Sequence, residues 1–201
     1  MMREGIAQVI EKTSDFAICG TASTADEGLE QLRKLKPDLV LVDITLPVKD
    51  GLQFVEEACK RYPGVRILVM SSRDESLYAS RVLRLGALGY IQKRENSMRL
   101  IEAMRRVLIG EISVSKEMEY RSLEIFSGTK TMHSPIENLT GREFTVFKLL
   151  GDGKTTTQIA GALHVSGKTI EAHRVNVRKK LGMISNPELI AYSARWGATF
   201  A

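Results

Sequence analysis

Three short runs, each closed by a polar side chain, constrain this chain more than any other feature. Leu39–Val42 stops at Asp43, Val65–Met70 stops at Ser71 and Ser72, and Gly89–Gln92 stops at Lys93. Apolar runs without polar alternation suit strands buried on both faces, the condition of a parallel sheet. Phe16–Ala22 reads as a further strand. Helical patterns separate the strands, over Met2–Lys12, from a Ser23 cap to about Lys34, and over Leu52–Arg61, Leu77–Leu85 and Met98–Ile109. Such alternation predicts an α/β domain with a doubly wound parallel sheet. In that architecture chemistry gathers at the carboxyl ends of the strands, where Asp43, Ser71 and Lys93 stand. A carboxylate nucleophile, with a hydroxyl and an ammonium to hold oxygens, would make a phosphoryl site. The same spacing also fits three strand-end polar residues that only meet water.

The second constraint is Thr155–Leu181, which reads as two helices around a tight turn. Thr155 and Gln158 stand at capping-box spacing, as do Thr140 and Glu143 upstream. Ser166 can cap the second helix. Ile170, His173, Val177 and Leu181 fall on one side of it, and Lys168, Glu171, Val175, Arg178 and Lys179 on the other. A helix apolar behind and basic in front fits the DNA major groove. An ordinary amphipathic pair with a solvated charged face has the same pattern. Charge separates the two readings. Residues 138–201 carry 9 basic and 4 acidic side chains, and so all of the chain's net +5. Pro187–Trp196 reads as a last helix.

At 201 residues the chain is long enough for two small domains. Cys19 and Cys59 lie in an expected strand and helix, so a buried, reduced pair in a cytosolic chain is expected rather than a disulfide. No apolar run is long enough to span a membrane, and no leader pattern opens the chain. Two GKT triplets, Gly153-Lys154-Thr155 and Gly167-Lys168-Thr169, lack the glycine of a phosphate-binding loop, since Lys148 and Ala162 stand at its place. His133, His164 and His173 have no partners at metal-ligand spacing.

The run from Leu139-Thr140-Gly141-Arg142-Glu143 through Thr155–Leu181 to Lys180-Leu181-Gly182 resembles the LuxR-type helix-turn-helix domain. Leu41-Val42-Asp43-Ile44-Thr45-Leu46-Pro47, with Asp50-Gly51, resembles the phosphoacceptor segment of response-regulator receiver domains. Gly86-Ala87-Leu88-Gly89-Tyr90-Ile91-Gln92-Lys93 resembles that family's last strand. Together they resemble the NarL/FixJ class of response regulators. The resemblance implies a flavodoxin-like receiver over residues 1–112, a linker over 113–137 that is partly helical around Lys116–Ile125, and an all-α helix-turn-helix domain over 138–201. It implies Asp43 as the phosphorylated residue, Ser71 as switch hydroxyl, Tyr90 as switch aromatic and Lys93 as phosphate-binding cation. It implies Mg2+ held in part by Asp43 and the Thr45 carbonyl.

One departure accompanies the resemblance. The family's first strand ends in an acidic pair that helps bind magnesium, whereas this sequence opens at Met1-Met2-Arg3-Glu4-Gly5, already at the first helix. The expectation is a receiver without its first strand and with a partial metal site, whether by truncation or by loss. Lys168, Glu171, Val175 and Arg178 are expected toward base edges. Thr169, Arg174 and Lys179 are expected toward phosphates, with His173 half-buried beneath the helix or touching a phosphate. The expected partners are double-stranded DNA, a sensor histidine kinase and a second copy of the chain through its last helix, with no membrane. The function implied is a cytoplasmic transcriptional regulator controlled by phosphorylation of Asp43, and not an enzyme. A phosphorylation-independent DNA-binding protein whose receiver only dimerises or docks a partner is the alternative. Hydrolysis at the receiver-like site would need a second catalytic constellation.

Overall fold

The computed structural model describes residues 2–44, 51–72, 75–119 and 135–199. In chain order they form α1 (Met2–Glu11), α2 (Ala25–Leu35), β1 (Val40–Asp43), α3 (Gly51–Arg61), β2 (Ile67–Ser71), α4 (Glu75–Arg84), β3 (Gly89–Gln92) and α5 (Ser97–Leu108). A 3-10 turn (Pro135–Asn138) then leads into α6 (Gly141–Gly151), α7 (Thr156–Leu163), α8 (Gly167–Leu181) and α9 (Asn186–Thr199). No helix among the described residues is long and apolar enough to cross a membrane.

The three strands are parallel in the order β1-β2-β3. The register runs from Val40 opposite Ile67 to Asp43 opposite Met70, and from Leu68 opposite Gly89 to Ser71 opposite Gln92. Every residue of β2 is buried, as its apolar run requires. Side chains alternate between the two faces. Val42, Ile67, Val69 and Tyr90 join Leu29 of α2, Phe54 and Val55 of α3 and Val82 of α4 in one cluster. Leu68, Met70 and Ile91 join Ile10 of α1 and Leu100, Met104 and Val107 of α5 in the other. The α/β receiver-type sheet followed by a helical domain is thus the architecture of the chain.

Three expectations need correction. Phe16–Ala22 forms no strand, and residues 17–21 are exposed. A strand exists only in a ladder, and β1 pairs with β2 alone among the described strands, so this segment has no backbone partner to order it. Cys19 is consequently exposed and only Cys59 is half-buried; both are free thiols. The cap of α2 is Thr24, whose hydroxyl accepts the Glu27 N–H, rather than Ser23. Ser23 is otherwise engaged, its N–H donating to Glu27 and its hydroxyl accepting from Arg3.

The segment after α5 is more structured than its composition suggests. The Ser113 N–H donates to the Leu88 carbonyl and the Tyr90 N–H to the Ser113 carbonyl, each at 2.9 Å, making a parallel bridge on the edge of β3. Val114 and Met118 are buried. Residues 116–119 are helical, and the rest of the expected linker helix lies outside the described residues. Helices α6, α7 and α8 begin on side-chain caps, with complete capping boxes at Thr140/Glu143 and Thr155/Gln158 and Ser166 capping α8. They share a core with the sheet domain: Tyr78 of α4 meets the Phe144 ring edge-on at 5.4 Å, and the Arg81 guanidinium lies 3.9 Å over that ring.

Candidate functional site

Asp43 ends β1, Ser71 ends β2, and Lys93 follows β3 directly, so the parallel register brings all three to one edge. The Lys93 ammonium donates to Asp43 Oδ2 at 2.5 Å, with 18% and 21% of the two side chains exposed. The Lys93 N–H donates to the Ser71 carbonyl at 2.8 Å, locking the ends of β2 and β3 together. Ser71 is fully buried, and Tyr90, three residues before Lys93, is 2% exposed. Gly51 closes the edge from below. Its N–H donates to the Ile44 carbonyl, and a Cβ there would stand 2.3 Å from the Asp43 carbonyl oxygen, so only glycine lets α3 start this close. A partly solvated carboxylate beside a fixed ammonium and a buried hydroxyl can accept a phosphoryl group and hold its charge.

Thr45 lies outside the described residues, so its expected carbonyl contribution has no described geometry. Among the described residues no group of three His, Cys, Asp or Glu side chains comes together. Magnesium demands near-octahedral oxygen coordination, which these residues alone do not fit.

The second cluster of sequence-derived residues lies on α8. Lys168, Thr169, Glu171, Val175 and Lys179 are exposed with the sheet domain in place. Arg174 is not presented in the same way. One of its guanidinium nitrogens donates to Glu171 and to the Thr156 hydroxyl, each at 2.7 Å, and its side chain is 12% exposed. Thr156 in turn donates to Glu171 at 2.8 Å, so this carboxylate is braced from α7. Arg178 donates to the Ile184 carbonyl at 3.0 Å. His173 is half-buried, and burial, then the nearby Arg142 charge, holds its imidazole below the ordinary value. Lys180 turns inward and donates to Glu143 at 2.6 Å. Two exposed residues on the same face, Ala172 and Asn176, escaped the sequence reading. Their spacing from Lys168 and Lys179 is helical and could have found them, and an asparagine amide there suits an adenine edge.

Residues 1–105 match the response regulator receiver domain family, and residues 137–193 match the bacterial regulatory proteins of the luxR family. The oxygen regulatory protein NreC of Staphylococcus aureus (strain bovine RF122 / ET3-1) is 30% identical, over 97% of this chain and 93% of that protein. The transcriptional regulatory protein DegU of Brevibacillus brevis is 29% identical, over 98% and 90%. In fold the chain is similar to RcsB of Salmonella enterica serovar Typhimurium, bound to promoter rprA in the presence of the phosphomimetic BeF3-. The TM-score is 0.61 at 24% identity, covering 95% of this chain and 92% of that one.

Proposed function

We propose a function from one premise: the chain belongs to the NarL/FixJ class of response regulators, a receiver domain joined to a LuxR-type DNA-binding domain. It is a DNA-binding transcriptional regulator controlled by phosphorylation of a receiver aspartate, a family whose members are regulators and not enzymes. We assign the phosphorylated residue as Asp43, and the observation that carries the assignment is its 2.5 Å contact with Lys93. One Asp43 oxygen attacks the phosphorus of the donor. A bond from oxygen to phosphorus forms, the bond to the leaving group breaks, and that group departs with the electron pair. Lys93 then balances the charge of the acyl phosphate, Ser71 donates a hydrogen bond to it, and Tyr90 moves with the rearranged edge. Receivers generally use magnesium in this reaction. The ligands we assign here, Asp43 and the Thr45 carbonyl, are a partial set.

The division we assign is receiver 1–112, linker 113–137 and DNA-binding domain 138–201. Double-stranded DNA meets α8. The exposed Lys168, Glu171 and Val175, with Arg178, lie toward base edges. Thr169 and Lys179 lie toward phosphates, with Arg174 and His173 acting chiefly as braces behind them. A sensor histidine kinase is the physiological phosphoryl donor, α9 pairs two copies on DNA, and the site of action is the cytoplasm. Labelled acetyl phosphate tests the reading: the chain should take up label, Asp43→Asn should take none, and labelling should change affinity for promoter DNA. Label that survives Asp43→Asn, or labelled and unlabelled protein of equal DNA affinity, would overturn it. Full dependence of labelling on magnesium would show that the metal site is complete.

A further inference from the structure

We propose that residues 113–118 form a strap that carries the state of the Asp43 edge to the DNA-binding half, and that Glu75 is the positioning residue that holds it. The inference rests on the phosphorylation reading only for the event that moves the strap.

The strap is tied to both moving sides of the site. On one side Ser113 exchanges backbone hydrogen bonds with Leu88 and Tyr90, just before Lys93. On the other, the Ser115 N–H donates to the Glu75 carboxylate at 2.7 Å. Glu75 opens α4, four residues beyond Ser71. The Arg99 guanidinium donates to the Val114 carbonyl at 3.0 Å between these two anchors. Beneath them Val114 and Met118 are buried in the cluster that contains Tyr90, Tyr78, Ile136 and Phe144. One segment thus bonds to the backbone of the switch aromatic and to the first residue of α4, and its buried side chains belong to the continuous core that the sheet domain shares with the DNA-binding half.

Glu75 is only 9% exposed. An acid in a first helical turn is ordinarily a solvated helix stabiliser. A carboxylate this buried needs a donor, and the one it takes comes from the strap, 40 residues along the chain. A phosphoryl group on Asp43 draws Ser71 and Lys93 inward, so the start of α4 and the end of β3 shift relative to one another. The strap is bonded to each and cannot follow both, which makes it a two-state element of the kind that coupling requires. The same helix, α4, presents Tyr78 and Arg81 to Phe144, so the strap and α4 deliver the change together.

Amide hydrogen exchange on the full chain tests this. Relative to the unlabelled wild type, Asp43→Asn and acetyl phosphate treatment should each change exchange at Ser113–Met118 several-fold. Glu75→Ala should raise Ser115 exchange by about tenfold, the equivalent of one lost hydrogen bond. It should label on Asp43 as the wild type does and yet show no labelling-dependent change in DNA affinity. Glu75→Gln keeps an acceptor oxygen and should restore both protection and response, which a merely structural role for the charge would not predict. Strap exchange insensitive to the state of Asp43, or a Glu75→Ala chain that responds to labelling like the wild type, would overturn the proposal. A strap that responds to Asp43→Asn in a chain that takes no label would sink the phosphorylation reading and leave the strap standing.

Discussion

Glu143 shows how one side chain can hold a domain together from both ends. Its carboxylate closes the Thr140 cap at 2.8 Å and accepts from Lys180 at 2.6 Å, joining the start of α6 to the end of α8. Its side chain is 5% exposed and that of Lys180 is 36%, so Lys180→Ala should destabilise by about 1–3 kcal/mol in denaturant titrations, less than a fully buried pair because Thr140 still donates. Burial raises the Glu143 pKa, but the Lys180 and Thr140 hydrogen bonds outweigh it, and the net value lies below the ordinary 4.5. His173 is lowered from 6.5 by burial first. Both groups bind fewer protons folded than unfolded, so both contributions are present above the ordinary values and are lost on acidification. Thermal stability of the DNA-binding half should fall in two windows, below pH 6.5 and again below pH 4.5. His173→Gln should flatten the first window only; a melting temperature that rises on acidification would refute the assignment. On the outer side of α8, Lys179→Ala should weaken binding to all DNA sequences and reduce the salt slope by about one unit. Loss of sequence preference at an unchanged slope would instead place Lys179 on a base.

At the scale of elements, the sequence revealed whatever local chemistry decides. The strands that carry Asp43, Ser71 and Lys93 are short runs with polar ends, and the helices of the DNA-binding half begin where Thr140, Thr155 and Ser166 can cap them. What stayed hidden depends on neighbours distant in sequence. Phe16–Ala22 has strand composition, but a parallel strand must be ordered by a partner, and among the described residues the ladder runs through β1, β2 and β3. The 113–118 segment has few apolar residues, and nothing local says that Val114 and Met118 are buried. Arg174 reads as an outward cation until Thr156 and Glu171 are seen to hold it. The irregular 16–22 segment has a chemical signature. Cys19 is exposed, whereas Cys59 is half-buried beside Gly86 and burial raises its thiol pKa. Under native conditions Ellman's reagent should modify one thiol rapidly and the second only on unfolding. Equal rates would mean that 16–22 is as protected as α3.

For the whole molecule the decisive contact is the seat of the DNA-binding half on α3 and α4. Arg81 is 8% exposed, and its guanidinium donates to the Leu139 carbonyl and to that of Ile136 at 2.6 Å while stacking on Phe144. Lys148 reaches the Tyr78 hydroxyl at 3.4 Å, and a Cβ on Gly141 would stand 2.9 Å from the Leu52 side chain, so the seat is close as well as polar. Phe144 receives Tyr78 on one side and Trp196 on another, which makes α6 the element between α4 and α9. Throughout this docking the outer residues of α8 remain exposed. The sheet domain therefore positions the DNA-binding half without covering the outer face of α8. Arg81→Ala leaves two buried carbonyls without their charged donor, at a cost of about 2–4 kcal/mol. That is a large share of what holds two small domains together. Scanning calorimetry should show the wild type melting in one transition and Arg81→Ala in two, with the receiver transition little changed. Because the face of α8 is already free, the affinity of an isolated monomer for DNA should change less than threefold, about 0.6 kcal/mol. A single undisturbed transition would show that the seat contributes no coupling, and a tenfold or larger gain in monomer affinity would mean that docking hides the recognition helix after all.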